Sequence, residues 1–371
     1  MEIKINRDEL LKSVSRVQSI IERKSNMPVL STILFTAQGS EVQLSATDLE
    51  LGFRQIVKAD VLKEGSITIS GRKLFEIIRE SRSEIFHIKE KENSRVLISD
   101  MVARFDLACI NADEFPVFVE PEGVSMIEIE GETLCDMINK TIYAVTVEEA
   151  GFKLSGILTE KISSDTGNYL RMVATDGHRL SLVDKPVADV GNLNLKTGLL
   201  VAKKGMSEIS KMASEGGMIQ IGFEDKNCIA RKNNGFLMIR LLETRFPDYN
   251  MVIPKKEEYS IKINRNSLLE AMRKMLIMSN ERYRAVRITL ESNVLDLVST
   301  NPELGEGQEQ IAIEFSGEPI AAGFNPKFFI DTLQAMESET ISLGFTDGSK
   351  PCTIRGEADK GFLGLIMPMR V

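Results

Sequence analysis

The chain has 371 residues, 43% hydrophobic and 27% charged, with a formal net charge of −8. This length favours two or three domains over one, and the acidic balance argues against a protein that is coated with nucleic acid over its whole surface. No apolar stretch approaches the roughly 18 residues of a membrane span. The N-terminal MEIKINRDELLK has charges where a signal peptide needs an apolar core, so we expect a cytoplasmic protein.

The first predicted elements are a short strand and an amphipathic helix, and this pair recurs along the chain. The sequences are IKINRDELLKSV (3–14), IEIEGETLCDMI (127–138) and IKINRNSLLEAM (261–272). The repeat unit is about 125 to 130 residues, enough to bury its own core. The repeat predicts three similar domains, with boundaries in the charged, proline-containing segments EPEGVS and PKKEEY: residues 1–122, 123–254 and 255–371.

Within each third, the periodicity predicts two helices and several short strands, which is an α+β fold of helices packed on antiparallel sheets. The first helix begins after Asn6 as N-cap, with Leu10, Val14 and Val17 on its buried face and Ser13 on its other face. Second helices are predicted at GRKLFEIIRES (71–81), KKGMSEISKMA (203–213) and NPKFFIDTLQAM (325–336).

Basic residues stand at or near the starts of these second helices, where cations oppose the helix dipole. They are Arg72, Lys73, Lys203, Lys204 and Lys327. Lysine on a helix is ordinarily solvated surface, but the repeated placement favours helices that face a polyanion. No tryptophan, zinc finger or helix-turn-helix is present, so any nucleic acid is expected to be duplex DNA bound without base readout.

The catalytic motifs that we tested are absent from the sequence. The four cysteines (Cys109, Cys135, Cys228, Cys352) have no ligand spacing, and there is no HExxH, GxxxxGK[ST], GxGxxG or GxSxG. We therefore expect no metal, no cofactor, reduced and mostly buried thiols, and a protein that is not an enzyme. A hydrolase that uses Asp176 and His178 lacks further ligands, and a protein-binding scaffold without DNA contact is the other alternative.

The motifs ATDLE (46–50), ATDGHRL (174–180), RFPDY (245–249), GFN (323–325) and MPMR (367–370) resemble those of the bacterial β sliding clamps. The resemblance covers the whole chain. It implies a head-to-tail homodimer that closes into a ring around duplex DNA, with basic helices lining the hole. The DNA-facing residues that it implies are Lys12, Arg16, Lys24, Arg72, Lys73, Lys203, Lys204, Arg273 and Lys274.

The same resemblance implies a hydrophobic pocket that binds QLxLF-like peptides of the replicative DNA polymerase, the clamp loader and repair factors. The matching positions are Leu154, Thr175, Gly177, His178, Arg179, Leu180, Pro247, Val252, Tyr283, Asn325, Phe328, Met367, Pro368, Met369 and Arg370. Adaptable methionines suit many related peptides, with backbone and arginine donors fixing the chain. The sequence departs from the family at Met251, where arginine is usual, and at Pro351, where some members have a small hydroxyl residue.

The resemblance places the contact between the two copies on a strand and a helix. The strand is RFDLACI (104–110), with Phe105 and Leu107, and the helix end carries Ile277 and Met278. Ordinary core packing is the alternative role for these apolar side chains.

Overall fold

The structure is a computed structural model that describes residues 1–21, 26–145, 155–165, 167–195, 198–280 and 284–369. These residues form two compact units. Unit 1 comprises Met1–Gly131, Asn192–Asn194 and Lys211–Leu241, and unit 2 comprises Glu132–Gly191, Leu195–Ser210 and Leu242–Val371.

Two α-helices lie in each third of the described chain. Each helix begins directly after a strand, except for one that is separated from its strand by a single residue. The helices are α1 (Arg7–Val17), α2 (Gly71–Glu80), α3 (Gly131–Ile142), α4 (Lys203–Ala213), α5 (Arg265–Met278) and α6 (Pro326–Ala335). This arrangement confirms the predicted α+β class, and the bounds of the three second helices agree with the sequence prediction to within about a residue.

Strands make up most of the remaining structure. The first third contains β1 (Glu2–Asn6), β2 (Thr32–Gln38), β3 (Glu41–Thr47), β4 (Leu51–Lys58), β5 (Asp60–Lys63), β6 (Gly65–Ser70), β7 (Ile85–Lys91), β8 (Arg95–Ser99) and β9 (Arg104–Ala108). The second contains β10 (Met126–Glu130), β11 (Gly156–Ser164), β12 (Gly167–Thr175), β13 (Arg179–Pro186), β14 (Leu199–Ala202), β15 (Met218–Glu224), β16 (Asn227–Lys232) and β17 (Gly235–Leu242). The third contains β18 (Tyr259–Asn264), β19 (Val286–Glu291), β20 (Val294–Asn301), β21 (Gly305–Ala312), β22 (Ile320–Phe324), β23 (Thr340–Phe345), β24 (Cys352–Gly356) and β25 (Phe362–Ile366).

Antiparallel pairing organises the strands of each unit into two groups. In unit 1 the orders are β5-β1-β7-β8-β9 and β6-β2-β3-β4-β17-β16-β15-β10. In unit 2 they are β18-β23-β24-β25-β13-β12-β11-β14 and β21-β20-β19-β22. Strands β9 and β21 each end a sheet, so one edge of each has its backbone groups open to pairing.

The internal repeat is visible in the burial of the strands that precede α1, α3 and α5. In β1, β10 and β18 the two isoleucines of each Ile-x-Ile motif are buried, and the residues between and after them are exposed. Alternating side chains point to opposite faces of a strand, so each copy presents the same apolar pair to its own core. The predicted boundaries after residues 122 and 254 lie between β9 and β10 and between β17 and β18, and they stay a prediction.

Helix α1 shows how the local sequence fixes an element. The Asn6 side chain accepts hydrogen bonds from the backbone N–H groups of Asp8 (2.9 Å) and Glu9 (3.3 Å), which confirms the predicted N-cap. Leu10 and Val14 are fully buried, as predicted. The prediction for Ser13 was wrong, because its side chain is 1% exposed and its hydroxyl donates to the Glu9 carbonyl at 2.9 Å. A short hydroxyl that bonds to its own helix can lie in a core.

A buried ion pair fixes α3 to the turn before β25 in unit 2. Lys140 Nζ lies 2.8 Å from Asp359 Oδ1, and the two side chains are 2% and 0% exposed. Asp136 Oδ1 is a second partner of Lys140 at 2.6 Å. Burial acts to raise the pKa of Asp359, but the hydrogen bonds from Lys140 and Ser338 outweigh it, and the pKa lies below its usual value.

The four cysteines are free, as predicted, but only Cys228 and Cys352 are buried, whereas Cys109 and Cys135 are half-buried. Among the described residues, no helix is long and apolar enough to cross a membrane. In the same part of the chain, no three His, Cys, Asp or Glu side chains converge as metal ligands would.

Candidate functional site

The turn between β12 and β13 carries the central part of ATDGHRL. The Thr175 hydroxyl donates to the Arg179 carbonyl (2.6 Å) and accepts from the Gly177 N–H (3.1 Å). Asp176 Oδ1 accepts from the backbone N–H groups of His178 and Arg179, both at 3.0 Å. Gly177 has φ +84°, a conformation that glycine adopts without strain. The motif therefore encodes a rigid turn that presents an exposed His178 ring.

Arg179 is almost buried at the base of this turn. Its Nε donates to Asp176 (3.0 Å), its Nη1 to Asp331 of α6 (2.7 Å) and its Nη2 to the Tyr143 carbonyl (2.7 Å). The guanidinium carbon lies 4.7 Å from the Phe328 ring centroid and 5.3 Å from that of Tyr143. These contacts are internal to unit 2, so the donor role of Arg179 toward a peptide stays a prediction. Asp331 and Tyr143 were not among the predicted site residues.

Residues from distant parts of the sequence surround the turn. The His178 and Phe328 rings are stacked with centroids 6.2 Å apart and an interplanar angle of 14°. Asn325 caps α6, and its side chain accepts from the second residue of the helix at 3.0 Å, which holds Phe328 in the first turn. The Met367 N–H donates to the His178 carbonyl (2.8 Å), and the Met369 N–H donates to a carbonyl of β22 (2.7 Å). The structure thus brings His178 of the second repeat together with Phe328 and Met367 of the third.

Three separate hollows in unit 2 are lined by other predicted site residues. One of about 730 Å³ is lined by Pro368 and Met369. A second of about 570 Å³ is lined by Pro247, and a third of about 650 Å³ by Val252, Met251 and Pro351. The two departures from the family pattern therefore line the same hollow. Leu180 is buried in the apolar cluster of this unit that also contains Leu158 and Tyr249.

We use "peptide groove" for the predicted peptide-binding residues that the structure describes: Thr175, Gly177, His178, Arg179, Leu180, Pro247, Val252, Asn325, Phe328, Met367, Pro368 and Met369. Four predicted site residues, Lys24, Leu154, Tyr283 and Arg370, lie outside the described residues. The set combines apolar side chains, two of them methionines, with a few polar groups held by hydrogen bonds, which is the composition expected of a peptide site.

Asp176 and His178 are placed for structure rather than for acid–base chemistry. Both oxygens of Asp176 accept hydrogen bonds from its own turn, from backbone N–H groups and from Arg179 Nε. The His178 ring packs on Phe328. The hydrolase alternative gains no support from this geometry.

The predicted DNA-facing residues lie away from the cores of their helices. In unit 1, Lys12 is exposed and Arg16 is half-buried, with Arg16 Nη1 donating to Gln55 at 3.0 Å. Arg72 and Lys73 are 78% and 60% exposed, and both pair with Glu76.

In unit 2, Lys203 is half-buried and Lys204 is exposed at the start of α4. Arg273 and Lys274 are exposed on α5, where Lys274 pairs with Glu309 of β21 at 2.8 Å. In α2, α4, α5 and α6 the first turn contains no acidic residue, whereas α1 and α3 have acidic first turns. The lack of an acidic first turn is therefore shared by the three second helices and by α5, which is a first helix.

The predicted contact residues between copies are partly exposed. On β9, Phe105 is 36% exposed and Leu107 is half-buried. At the end of α5, Ile277 is 75% exposed and Met278 is half-buried. An isoleucine this exposed is not a core residue, so ordinary packing does not explain Ile277.

A repeated domain of two helices and antiparallel sheets, with a surface groove and basic helix starts, is the architecture of a clamp. Three family profiles match the chain in order: DNA polymerase III beta subunit, N-terminal domain (residues 1–119), central domain (128–248) and C-terminal domain (250–370). The chain belongs to the DNA polymerase III beta subunit family, the beta sliding clamps. This family is the non-catalytic processivity subunit of the polymerase.

Relatives match over the full length of the chain. The beta sliding clamp of Pseudomonas putida is 29% identical over 375 residues, covering 100% of both chains. The solved structure of Caulobacter crescentus pol III beta has a TM-score of 0.93 at 27% identity, again with complete coverage of both chains. The clamp of Bartonella birtlesii bound to griselimycin has a TM-score of 0.94 at 29% identity, with the same coverage. These likenesses confirm the predicted fold of three clamp domains.

Proposed function

We propose that two copies of this chain close head-to-tail into a cytoplasmic ring around duplex DNA, with the predicted three domains in each copy. The observation that carries the proposal is the match of three consecutive clamp domains over nearly the whole chain. A closed ring holds DNA topologically, so it needs no base readout and slides freely. Basic side chains on helices supply sequence-independent phosphate contacts of the kind that such sliding requires.

The open edges of β9 and β21 support this closure. Antiparallel addition of β9 of one copy to β21 of the other would join a five-stranded sheet to a four-stranded one. Arg104 is exposed on β9, where Asp106 is already paired with Lys91 and Arg95. Glu306 and Glu309 lie on β21, so Arg104 could meet a carboxylate of the opposite edge. Phe105, Leu107, Ile277 and Met278 would then supply the apolar part of the contact.

Solution mass at micromolar concentration tests the dimer, because a ring needs two chains. Ile277→Asp places a charge in the proposed contact and is expected to raise the dimer dissociation constant at least tenfold. Val119→Asp is the matched control, since Val119 is 77% exposed and lies outside the proposed contact. A wild-type chain that stays monomeric, or an equal effect of both substitutions, would contradict the proposed interface.

Retention on DNA tests the ring. After loading onto nicked circular DNA by a clamp loader, the protein is expected to stay bound during gel filtration and to be released once the DNA is linearised. Equal retention on both forms would mean that binding is not topological.

We further propose that the peptide groove binds QLxLF-like segments of the replicative polymerase, the clamp loader and repair factors. The stacked His178 and Phe328 rings and the Met367–Met369 segment form an apolar surface, and adaptable methionines suit several related side chains. The backbone hydrogen bond from Met367 to the His178 turn supports a place for residues 367–369 in the groove.

Deletion of residues 367–371 tests the groove. We expect binding of a labelled QLxLF peptide to fall below detection in a fluorescence anisotropy titration, while the solution mass stays that of the dimer. Undiminished peptide affinity in the shortened chain would show that the peptide binds elsewhere.

A further inference from the structure

The carboxylate of Asp331 is shared between the peptide groove and the first turn of α6. Its Oδ2 accepts from Arg179 Nη1 at 2.7 Å, and its Oδ1 accepts from Lys327 Nζ at 3.3 Å. The Arg179 and Asp331 side chains are 9% and 18% exposed, whereas that of Lys327 is 48% exposed. One oxygen therefore faces a nearly buried cation and the other a solvated cation.

The guanidinium of Arg179 is held from several directions. Each of its three nitrogens donates to an internal acceptor, and Asp331 provides the only one of these acceptors that lies on α6. The rings of Tyr143 and Phe328 lie within 5.3 Å of the guanidinium carbon, at distances typical of cation–π contact. A planar fork held in this way has little freedom to turn toward a bound peptide.

The walls of the groove meet at this guanidinium. Arg179 is bonded to Asp176, which closes the His178 turn, and it lies over the Phe328 ring on which His178 is stacked. The His178 carbonyl in turn holds the Met367 N–H. Release of the Asp331 contact would therefore loosen α6 against the turn and the C-terminal segment together.

We propose that Asp331 is a positioning residue of the peptide groove, which fixes Arg179 and through it the spacing of His178 and Phe328. Lys327 bonds the other oxygen of the same carboxylate, so the contact with Arg179 does not depend on it. This inference rests on the proposed peptide-binding function of the groove.

The test combines binding of a labelled QLxLF peptide with a direct readout of the contact between Asp331 and Arg179. Asp331→Asn is expected to weaken peptide binding about tenfold, the size of losing one charge-assisted hydrogen bond, and Asp331→Glu is expected to recover part of the loss. Glu337→Gln is the matched control, because Glu337 is an exposed acidic residue just after α6. Lys327→Gln is expected to leave the affinity unchanged, because Lys327 bonds the oxygen of Asp331 that Arg179 does not use.

NMR of selectively labelled histidine reports on the position of His178 in the absence of a peptide. The chain has two histidines, and only His178 stacks on Phe328, so Asp331→Asn should shift the His178 signal and leave the His87 signal in place. An unmoved His178 signal overturns the proposal. If the His178 signal moves but the wild-type protein binds no peptide, Asp331 still positions His178. In that case the proposed peptide-binding function is refuted instead.

The affinities decide the remaining outcomes. Equal affinity of Asp331→Asn and wild type, or an equal loss in Glu337→Gln, shows that Asp331 does not position the groove. If Asp331→Asn does not fold, Asp331→Glu decides, because its longer side chain is expected to recover only part of the affinity. Full wild-type affinity together with an unmoved His178 signal in that variant contradicts the proposal.

Discussion

Replacing Asp359 with asparagine tests the buried ion pair that fixes α3 in unit 2. Asparagine preserves the shape of the side chain but removes the negative charge 2.8 Å from the buried Lys140 ammonium. Removing one partner of a buried pair costs about 3–5 kcal/mol, because the remaining charge is left without compensation. Asp136 stays as a second partner at 2.6 Å, so we expect the lower end, about 3 kcal/mol.

Urea unfolding followed by far-UV circular dichroism measures this change. Glu357→Gln is the control, because Glu357 lies in the same turn but its side chain is 74% exposed and pairs with the exposed Lys262. Exposed pairs contribute little, so the control midpoint should stay close to wild type. If the midpoint of Asp359→Asn shifts no further than that of Glu357→Gln, the buried pair does not stabilise the fold as argued.

The pH dependence gives a second check on the same pair. The pKa of Asp359 is lowered in the folded state, so its stabilisation is present above the unfolded value of about 3.9 and is lost as the pH falls through the folded pKa. The stability difference between wild type and Asp359→Asn should therefore be full at pH 7 and shrink below about pH 4. A constant difference down to pH 2 would contradict this assignment.

Three further predictions follow from single side chains. Burial raises the pKa of the Cys228 thiol to about 12 and that of Cys352 as well, so both should react with a thiol reagent at pH 8 more slowly than the two half-buried cysteines; equal rates would refute this. Asn6→Ala removes the cap of α1 and should lower the stability by about 1 kcal/mol in thermal unfolding, whereas Asn6→Asp should not. Tyr249→Phe removes the hydroxyl that donates to Glu160 at 2.7 Å and should cost about 1–2 kcal/mol in the same assay; an unchanged stability would contradict this.

The sequence by itself determined the elements that depend on neighbouring residues. The three Ile-x-Ile strands, the Asn6 cap and the bounds of α2, α4 and α6 all follow from local periodicity and capping, which act within a few residues. The resemblance to the family predicted the groove residues at the β12–β13 turn and in the C-terminal segment. It did not predict Asp331 or Tyr143, which contact Arg179.

The tertiary structure decided which distant residues meet. Arg179 and Asp331 are 152 residues apart, and no local pattern couples a turn arginine to one aspartate of a later helix. The same holds for Lys140 with Asp359, and for the burial of Ser13, whose hydroxyl is satisfied within its own helix. Long-range partners are chosen by the packing of whole elements. The sequence therefore specified the repeated domain, while the folded chain determined how its buried charges are paired.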